Sequence, residues 1–241
     1  CNCFPEAKLN GFAGLAPADV RLDAYRREAL KAIKVEKGES FSGTLPRETG
    51  GWPTYRADAG RTGTTQNVAP TSFKPAWKAS FGGRLSAPVV AGDMVYVSRI
   101  DQNQMVALDS ASGKTAWTYV TGSRVDSPPT VVGPLLYFGA ADGYVTCLEA
   151  KTGAMVWRRR LAPTDEKIVD EGRLESVWPV HGSVTYHNNL IYAIAGRNMF
   201  VDGGVHLCAL DPRTGEAQYS RIHARKPTET YGLQAMASKP D

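Results

Sequence analysis

One eleven-residue phrase recurs along the chain, and its spacing limits the fold more than any other feature. Ala107-Leu108-Asp109-Ser110-Ala111-Ser112-Gly113-Lys114-Thr115-Ala116-Trp117 returns as Cys147-Leu148-Glu149-Ala150-Lys151-Thr152-Gly153-Ala154-Met155-Val156-Trp157. It returns again as Ala209-Leu210-Asp211-Pro212-Arg213-Thr214-Gly215-Glu216-Ala217-Gln218-Tyr219, with tyrosine in place of tryptophan. The leucine, glycine and tryptophan of the first two copies lie 40 residues apart. A fixed period of this size marks a repeat architecture, in which each unit buries its apolar face only against its neighbours. Trp77 lies another 40 residues before Trp117, so the period reaches back to Lys74–Phe81, expected as the outer strand of an incomplete unit.

Each full period holds four short runs of β character. The first set is Ala87–Val90, Met94–Ser98, Gln104–Leu108 and Thr115–Thr121. The second is Thr130–Val132, Leu135–Ala140, Tyr144–Leu148 and Met155–Leu161. The third is Ser183–Tyr186, Leu190–Ala195, His206–Leu210 and Ala217–Ile222. Gly92-Asp93, Gly133-Pro134, Asp142-Gly143 and Asn188-Asn189 separate them as hairpin turns. The 24 glycines and 15 prolines suit a turn-rich β chain. These runs predict an all-β fold, a β-propeller of four-stranded antiparallel blades, with three complete blades and part of a fourth. Propellers close with about four to eight blades, so this sector is expected to be a fragment. The remaining blades would come from the same longer chain or from a partner chain.

The phrase also has a mechanical reading. Asp109 and Asp211 can accept backbone N–H bonds inside the turn, and Glu149 less neatly. Gly113, Gly153 and Gly215 supply a positive φ. Trp77, Trp117, Trp157 and Tyr219 each carry a ring to bury against a neighbouring blade, worth ~2–3 kcal/mol per tryptophan by area.

Residues 1–17 read as a remnant strand of a preceding blade or domain. Residues 18–50 read as a helix and linker, with Leu22, Tyr25, Ala29 and Ile33 on one helical face and the helix ending before Gly38. Residues 51–241 read as the N-terminal arc of the propeller, opened by Trp52-Pro53-Thr54-Tyr55-Arg56.

Net charge is +4, from 28 basic against 24 acidic residues, and no Lys/Arg stripe interleaves with aromatics, so nucleic acid is not an expected partner. Arg158-Arg159-Arg160 is the densest basic point and reads as a solvated outer strand in preference to an anion site. Of the four cysteines, Cys147 and Cys208 sit in apolar runs as small buried hydrophobes, while Cys1 and Cys3 pair elsewhere or stay free. No Cys-x-x-Cys-His site and no zinc-like pairing is present, so no metal ligands are assigned. No apolar run approaches the ~20 residues needed to span a bilayer.

The phrase Ala-Leu-Asp-x-x-x-Gly-Lys-x-x-Trp, with the opening Trp52-Pro53-Thr54-Tyr55-Arg56, resembles the PQQ-like (pyrroloquinoline-quinone-type) β-propeller repeat family. That family includes quinoprotein alcohol dehydrogenases and an outer-membrane-assembly lipoprotein. The resemblance covers residues 51–222. It implies a location outside the cytoplasm, in the periplasm or cell envelope. It leaves the activity open, because the motif is structural in every branch. Three functions follow: a binding or scaffold module, part of a PQQ-dependent quinoprotein alcohol dehydrogenase, or a polysaccharide-binding or polysaccharide-processing propeller. The second implies PQQ on the axis, Ca²⁺ held by a carboxylate and an amide, and an aspartate base. The chain lacks the adjacent cysteines and the haem motif of many such dehydrogenases, and no position here matches the Ca²⁺-holding residues.

The segments leading into the first strand of each blade also repeat. Arg84, Arg124 and Arg173 occupy this place, which predicts part of a basic ring at the axial mouth, with Asp126 and Glu175 as ion-pair partners. Such a ring suits an anion, carboxylate or sugar; the alternative, salt bridging between blades, is favoured. Gly153 to Gly215 spans 62 residues, 22 more than the period, with the extra residues at Ala162–Gly172 and Arg197–Gly204. Insertions of this kind often map to a binding face. His181 is the one histidine nominated as acid, base or ligand, against a role in fixing a loop. Trp178 is a stacking platform or a loop-packing residue. A saccharide site would be built on Arg124, Trp178, His181 and Arg197, with Asp202 near it.

Overall fold

The computed structural model describes residues 20–46, 51–65, 71–170, 172–200 and 202–224. The remnant expected at residues 1–17, with Cys1 and Cys3, and the end of the arc beyond residue 224 lie outside the described residues. Helix α1 (Val20–Lys31) and a three-residue strand β1 (Val35–Lys37) come first. The first blade is β2 (Val89–Ala91), β3 (Met94–Arg99), β4 (Gln104–Asp109) and β5 (Thr115–Val120). The second is β6 (Thr130–Val132), β7 (Leu135–Gly139), β8 (Tyr144–Glu149) and β9 (Met155–Arg160). A separate hairpin, β10 (Lys167–Asp170) and β11 (Arg173–Ser176), precedes the third blade, which is β12 (Thr185–His187), β13 (Leu190–Ala195), β14 (Val205–Leu210) and β15 (Ala217–His223). Each blade is an antiparallel meander paired in sequence order.

The repeated phrase leaves the same mark on all three blades. The register of the third and fourth strands slips between Ala107 and Leu108, between Cys147 and Leu148, and between Ala209 and Leu210. A bulge at one fixed place adds twist and aims the outer strand the same way each time. At the first turn of the third blade, Asn188 and Asn189 both adopt positive φ, 48° and 60°. That is the demand of a two-residue type I′ hairpin, which asparagine meets more cheaply than most residues.

Apolar residues gather in the seams between blades. One cluster joins blades one and two, through Tyr96, Met105, Ala107, Leu136, Phe138 and Leu148. Another joins blades two and three, through Tyr137, Cys147, Trp157, Val180, Ile191 and Leu210. A smaller one lies on the other side of blade one, where Trp77, Ala79 and Phe81 pack on Val97, Val106 and Leu108.

Several expectations are corrected. Lys74–Phe81 lays its apolar residues on blade one but forms no strand; among the described residues no strand of its own blade lies beside it to complete a ladder. Tyr25, on the face expected of α1, is 61% exposed, while Ala29 and Ile33 are half-buried. The outer strand β9 is not bare: β1 pairs antiparallel with it, placing Val35, Glu36 and Lys37 opposite Arg159, Arg158 and Trp157. Arg158 therefore meets Asp142 at 2.7 Å and stacks 3.7 Å over the Tyr144 ring, while Arg159 reaches Glu216 at 3.3 Å. Beyond β1, Phe41 and Leu45 pack against the seam of blades two and three.

Residues 51–63 thread along the innermost strands. Trp52 bridges Val90, Pro53 O accepts a bond from Val131 N at 2.7 Å, and Arg61 donates to Ser183 O at 3.3 Å. One segment thus touches β2, β6 and the entry to β12. In a meander blade, the connection into the first strand shares an end with the turn between the second and third strands. The first turn and the repeated phrase share the other end. These are called the entry face and the turn face below.

Candidate functional site

The phrase residues meet across the seams. Trp77 Nε1 donates to Ser110 O at 2.8 Å, Trp117 Nε1 to Ala150 O at 2.9 Å, and Trp157 Nε1 to Pro212 O at 2.9 Å. Each indole thus bonds a carbonyl in the phrase of the following blade. Its ring lies on the glycine of that phrase: a Cβ added to Gly113, Gly153 or Gly215 would stand 2.5, 2.6 or 2.7 Å from the rings of Trp77, Trp117 and Trp157. Those glycines have φ of 69°, 76° and 73°. Glycine is therefore required for two reasons at once, a left-handed backbone and an aromatic ring in contact. Asp109 Oδ1 accepts from Ser112 N at 2.7 Å, Asp211 Oδ1 accepts from Arg213 N and Thr214 N at 2.8 and 2.9 Å, and Glu149 accepts from Thr152 Oγ1 at 2.5 Å. Tyr219, at the tryptophan position of the third copy, is 45% exposed.

Two tyrosines missed in the sequence share this joint. Tyr96 OH donates to Ala150 O at 3.2 Å and Tyr137 OH to Pro212 O at 3.0 Å, the same carbonyls that the indoles reach. The ring pairs Tyr96–Trp117 and Tyr137–Trp157 sit 6.0 and 5.9 Å apart, both tilted by 46°. Their spacing of 41 residues was the available signal.

The charged residues nominated from the sequence gather on the entry face. Arg124 is 9% exposed and Glu175 1%. Arg124 Nη1 lies 2.7 Å from Glu175 Oε1, an ionic contact whose angle is not that of a directed hydrogen bond, and its Nε lies 3.1 Å from Asp126. Arg197 holds the other side: it donates to Ser176 O and Val177 O at 3.3 and 2.9 Å and lies 3.4 Å from Glu175 and 3.8 Å from Asp170. Arg84 and Arg173 do not join this group; both pair with Asp101, at 3.0 and 2.9 Å. Asp101 and Asp170 were not visible as site residues, because one sits in an aperiodic turn and the other inside the insertion. Asp202 is influenced by Arg197 and Arg26, though burial raises its pKa.

His181 Nδ1 lies 2.7 Å from Asp126 Oδ2, and the backbone carbonyl of His181 accepts a short bond from Ser127 Oγ. Burial works against ionising Asp126, but bonds from His181 and Arg124 outweigh it and hold the carboxyl below its usual range. Burial pushes the Glu175 carboxyl up, against the pull of Arg124. Nδ1 is committed to Asp126, and the His181 side chain is 34% exposed. Chemically the group is a carboxylate-oriented imidazole set in a buried ion network.

Trp178 takes the loop-packing role, the reading favoured for it over a stacking platform. It is fully buried under Gly196 and Gly203, with the Arg26 guanidinium 6.0 Å from its ring. Its ring has no face free to stack on a sugar. For PQQ with Ca²⁺, the donor set fails. Each of Asp126, Asp170 and Glu175 lies within 4.0 Å of an arginine, and no three carboxylate, imidazole or thiol groups converge among the described residues. The residues present here do not fit that cofactor's metal.

A family model described as outer membrane protein assembly factor BamB matches residues 59–231. Quinoprotein ethanol dehydrogenase of Pseudomonas aeruginosa is 30% identical over 172 residues, 61% of this chain and 25% of that protein. Outer membrane protein assembly factor BamB of Escherichia coli is 32% identical over 124 residues, 50% of this chain and 28% of that protein. The chain thus spans about a quarter of the length of these relatives. Among solved structures, quinohemoprotein alcohol dehydrogenase from Comamonas testosteroni superposes with a TM-score of 0.57 at 21% identity, covering 76% of this chain and 29% of that one. That likeness carries the fold alone.

Proposed function

This chain belongs to the PQQ-like β-propeller repeat family, and from that premise we propose that it is a binding and scaffold sector of an extracytoplasmic propeller. The observation that carries this reading is the entry-face network. Its carboxylates and guanidiniums face one another, two of them almost fully buried, so the polar groups nominated as a ligand site join blade two to the insertion before blade three. Breaking such a buried network by removing one member costs ~3–5 kcal/mol, which marks its members as structural. The outer-membrane assembly role in one relative's name supports a location outside the cytoplasm and a protein partner.

A second reading is part of a quinoprotein alcohol dehydrogenase. It is favoured by the names of the relatives at 30% and 29% identity and by the half-buried imidazole that Asp126 orients. A melting experiment on the chain with PQQ and Ca²⁺ separates the two. The scaffold reading expects no change in Tm. A site in this sector that bound the cofactor at 100 times its Kd would add ~2.7 kcal/mol to stability, and a shift of that size would reverse the order of the two readings.

A further inference from the structure

The turn face, opposite the ion network, carries a cavity of about 760 Å³. Small-molecule sites run to roughly 300–1,000 Å³. One wall is residues 53–61, and the other is the innermost strands β6 and β12 with the Asn188-Asn189 turn. We propose that this cavity binds a neutral carbohydrate chain. The proposal goes beyond the scaffold reading and does not depend on it.

The lining decides the ligand class. Thr185, Tyr186, Asn188 and Asn189 bring hydroxyls and amides, groups that both donate and accept; the Tyr186 hydroxyl rests on Asn189 Oδ1 at 3.0 Å and Pro46 O at 3.3 Å, while Thr130 is buried with its hydroxyl on Val184 O. Pro53, Val131 and Val132 lie behind them, buried. A rim of hydroxyls and amides matches the polar edge of a sugar ring. The charged groups of the wall are already engaged. Asp58 accepts from Thr62 N at 3.1 Å and from the Thr62 hydroxyl. The Arg61 guanidinium lies 5.3 Å from the Tyr55 ring and makes only long bonds, 3.3 Å to Ser183 O and 3.5 Å to Thr185 Oγ1. A ligand hydroxyl can take the place of either long bond, whereas one cation matched by one anion gives no preference for a charged ligand.

The wall is also preformed. Arg56, Ala57 and Arg61 hold φ of 57°, 75° and 55° without being glycine. Left-handed non-glycine residues cost about 1–3 kcal/mol each and persist only where the surroundings over-determine them. Here the surroundings are the bonds Ala57 N to Thr54 O and Gly63 N to Arg56 O, and the anchoring of the segment to all three blades. A wall fixed before binding spares the ligand the cost of ordering it.

The test uses the whole chain, a neutral β-linked glucose tetramer and its anionic counterpart tetragalacturonate, with titration calorimetry and Tm read in parallel. The variant Asn188→Gly/Asn189→Gly removes both amides yet keeps a turn that glycine adopts freely. Tyr186→Phe removes one hydroxyl and serves as a second variant. The neutral tetramer is expected to bind with a Kd of about 1 mM or tighter, at least tenfold more weakly to the glycine variant at unchanged Tm, and more weakly to Tyr186→Phe. Three results would overturn the proposal: no binding of the neutral tetramer, binding of tetragalacturonate alone, or equal affinity in both variants. Neither probe contains PQQ or Ca²⁺, so failure here leaves the cofactor melting test untouched.

Discussion

Trp157 and Tyr219 occupy the same place in successive copies of one phrase, yet Trp157 is 1% exposed and Tyr219 45%. The local sequence, the bulge before them and the outer strand that carries them are alike. What differs is the neighbour. Trp157 has the phrase of blade three beneath it, with Pro212 O on its Nε1 and Gly215 under its ring. Among the described residues no further phrase stands against Tyr219. The pair shows that the aromatic residue of each repeat belongs energetically to the seam, not to its own blade. It also accounts for where the core lies, in clusters between sheets.

The comparison can be broken most sharply at Trp157. Trp157→Ala empties a buried site and leaves Pro212 O with the Tyr137 hydroxyl as its remaining donor, so urea denaturation should show a loss of ~3–5 kcal/mol. A loss under ~1 kcal/mol would mean that the seam is not where this ring acts. Next comes the partner side. Gly153→Ala puts a methyl group 2.6 Å from the Trp117 ring at a φ of 76°, and strain of this kind costs ~1–3 kcal/mol. Combining it with Trp117→Ala should recover part of that loss in a double-mutant cycle, because the clash disappears with the ring.

A smaller effect concerns the entry face. Asp101 is held down to about 2 by the backbone and side-chain bonds of Arg84, with Arg173 assisting. A carboxyl whose folded pKa lies below its unfolded value stabilises the fold above the unfolded value, and that contribution is lost as pH falls through the folded one. Between pH about 4 and about 2, the Tm of the parent chain should therefore fall more steeply than that of Asp101→Asn. Parallel curves would remove Asp101 from the account. The smallest effect belongs to Tyr219→Ala, expected within ~0.5 kcal/mol of the parent as for an exposed position. A loss approaching that of Trp157→Ala would show that Tyr219 is already covered.

The contrast between the two ends of the comparison also explains what could be read in advance. The blade strands were legible because alternating runs, Gly and Asx turns and a 40-residue period are local signals. β6 and β13 begin and end where those signals placed them. Strands that exist only through a distant partner were not. Val35-Glu36-Lys37 is three residues with two charges, and it becomes a strand because β9 offers an edge. Lys74–Phe81 shows the converse, a fair strand pattern with no ladder beside it. In the insertion, Lys167-Ile168-Val169-Asp170 and Arg173-Leu174-Glu175-Ser176 pair across a turn at Gly172, which has a φ of 75°. The hairpin was passed over because the repeat had no counterpart for it. At the candidate site, Arg124, Asp126 and Glu175 were named from the recurring entry segments, His181 from the stretch that follows Glu175, and Arg197 from the second inserted loop. The further acids were not, since Asp170 reaches the network, and Asp101 the separate pair Arg84 and Arg173, only through the fold. Trp178 shows the same limit: its residue type allows stacking or loop-packing, and its burial in the fold decides for packing.

The central claim is that recurring indoles are bonded into the next blade's turn. Hydrogen exchange of the indole N–H groups, followed by NMR on the folded chain with each signal assigned by a Trp→Phe variant, measures it directly. The account predicts strong protection at Trp157, whose ring is buried and whose Nε1 lies 2.9 Å from Pro212 O, and protection at Trp117 through Ala150 O. Exchange of both groups at the rate of an unfolded peptide, in a chain that remains folded, would contradict it.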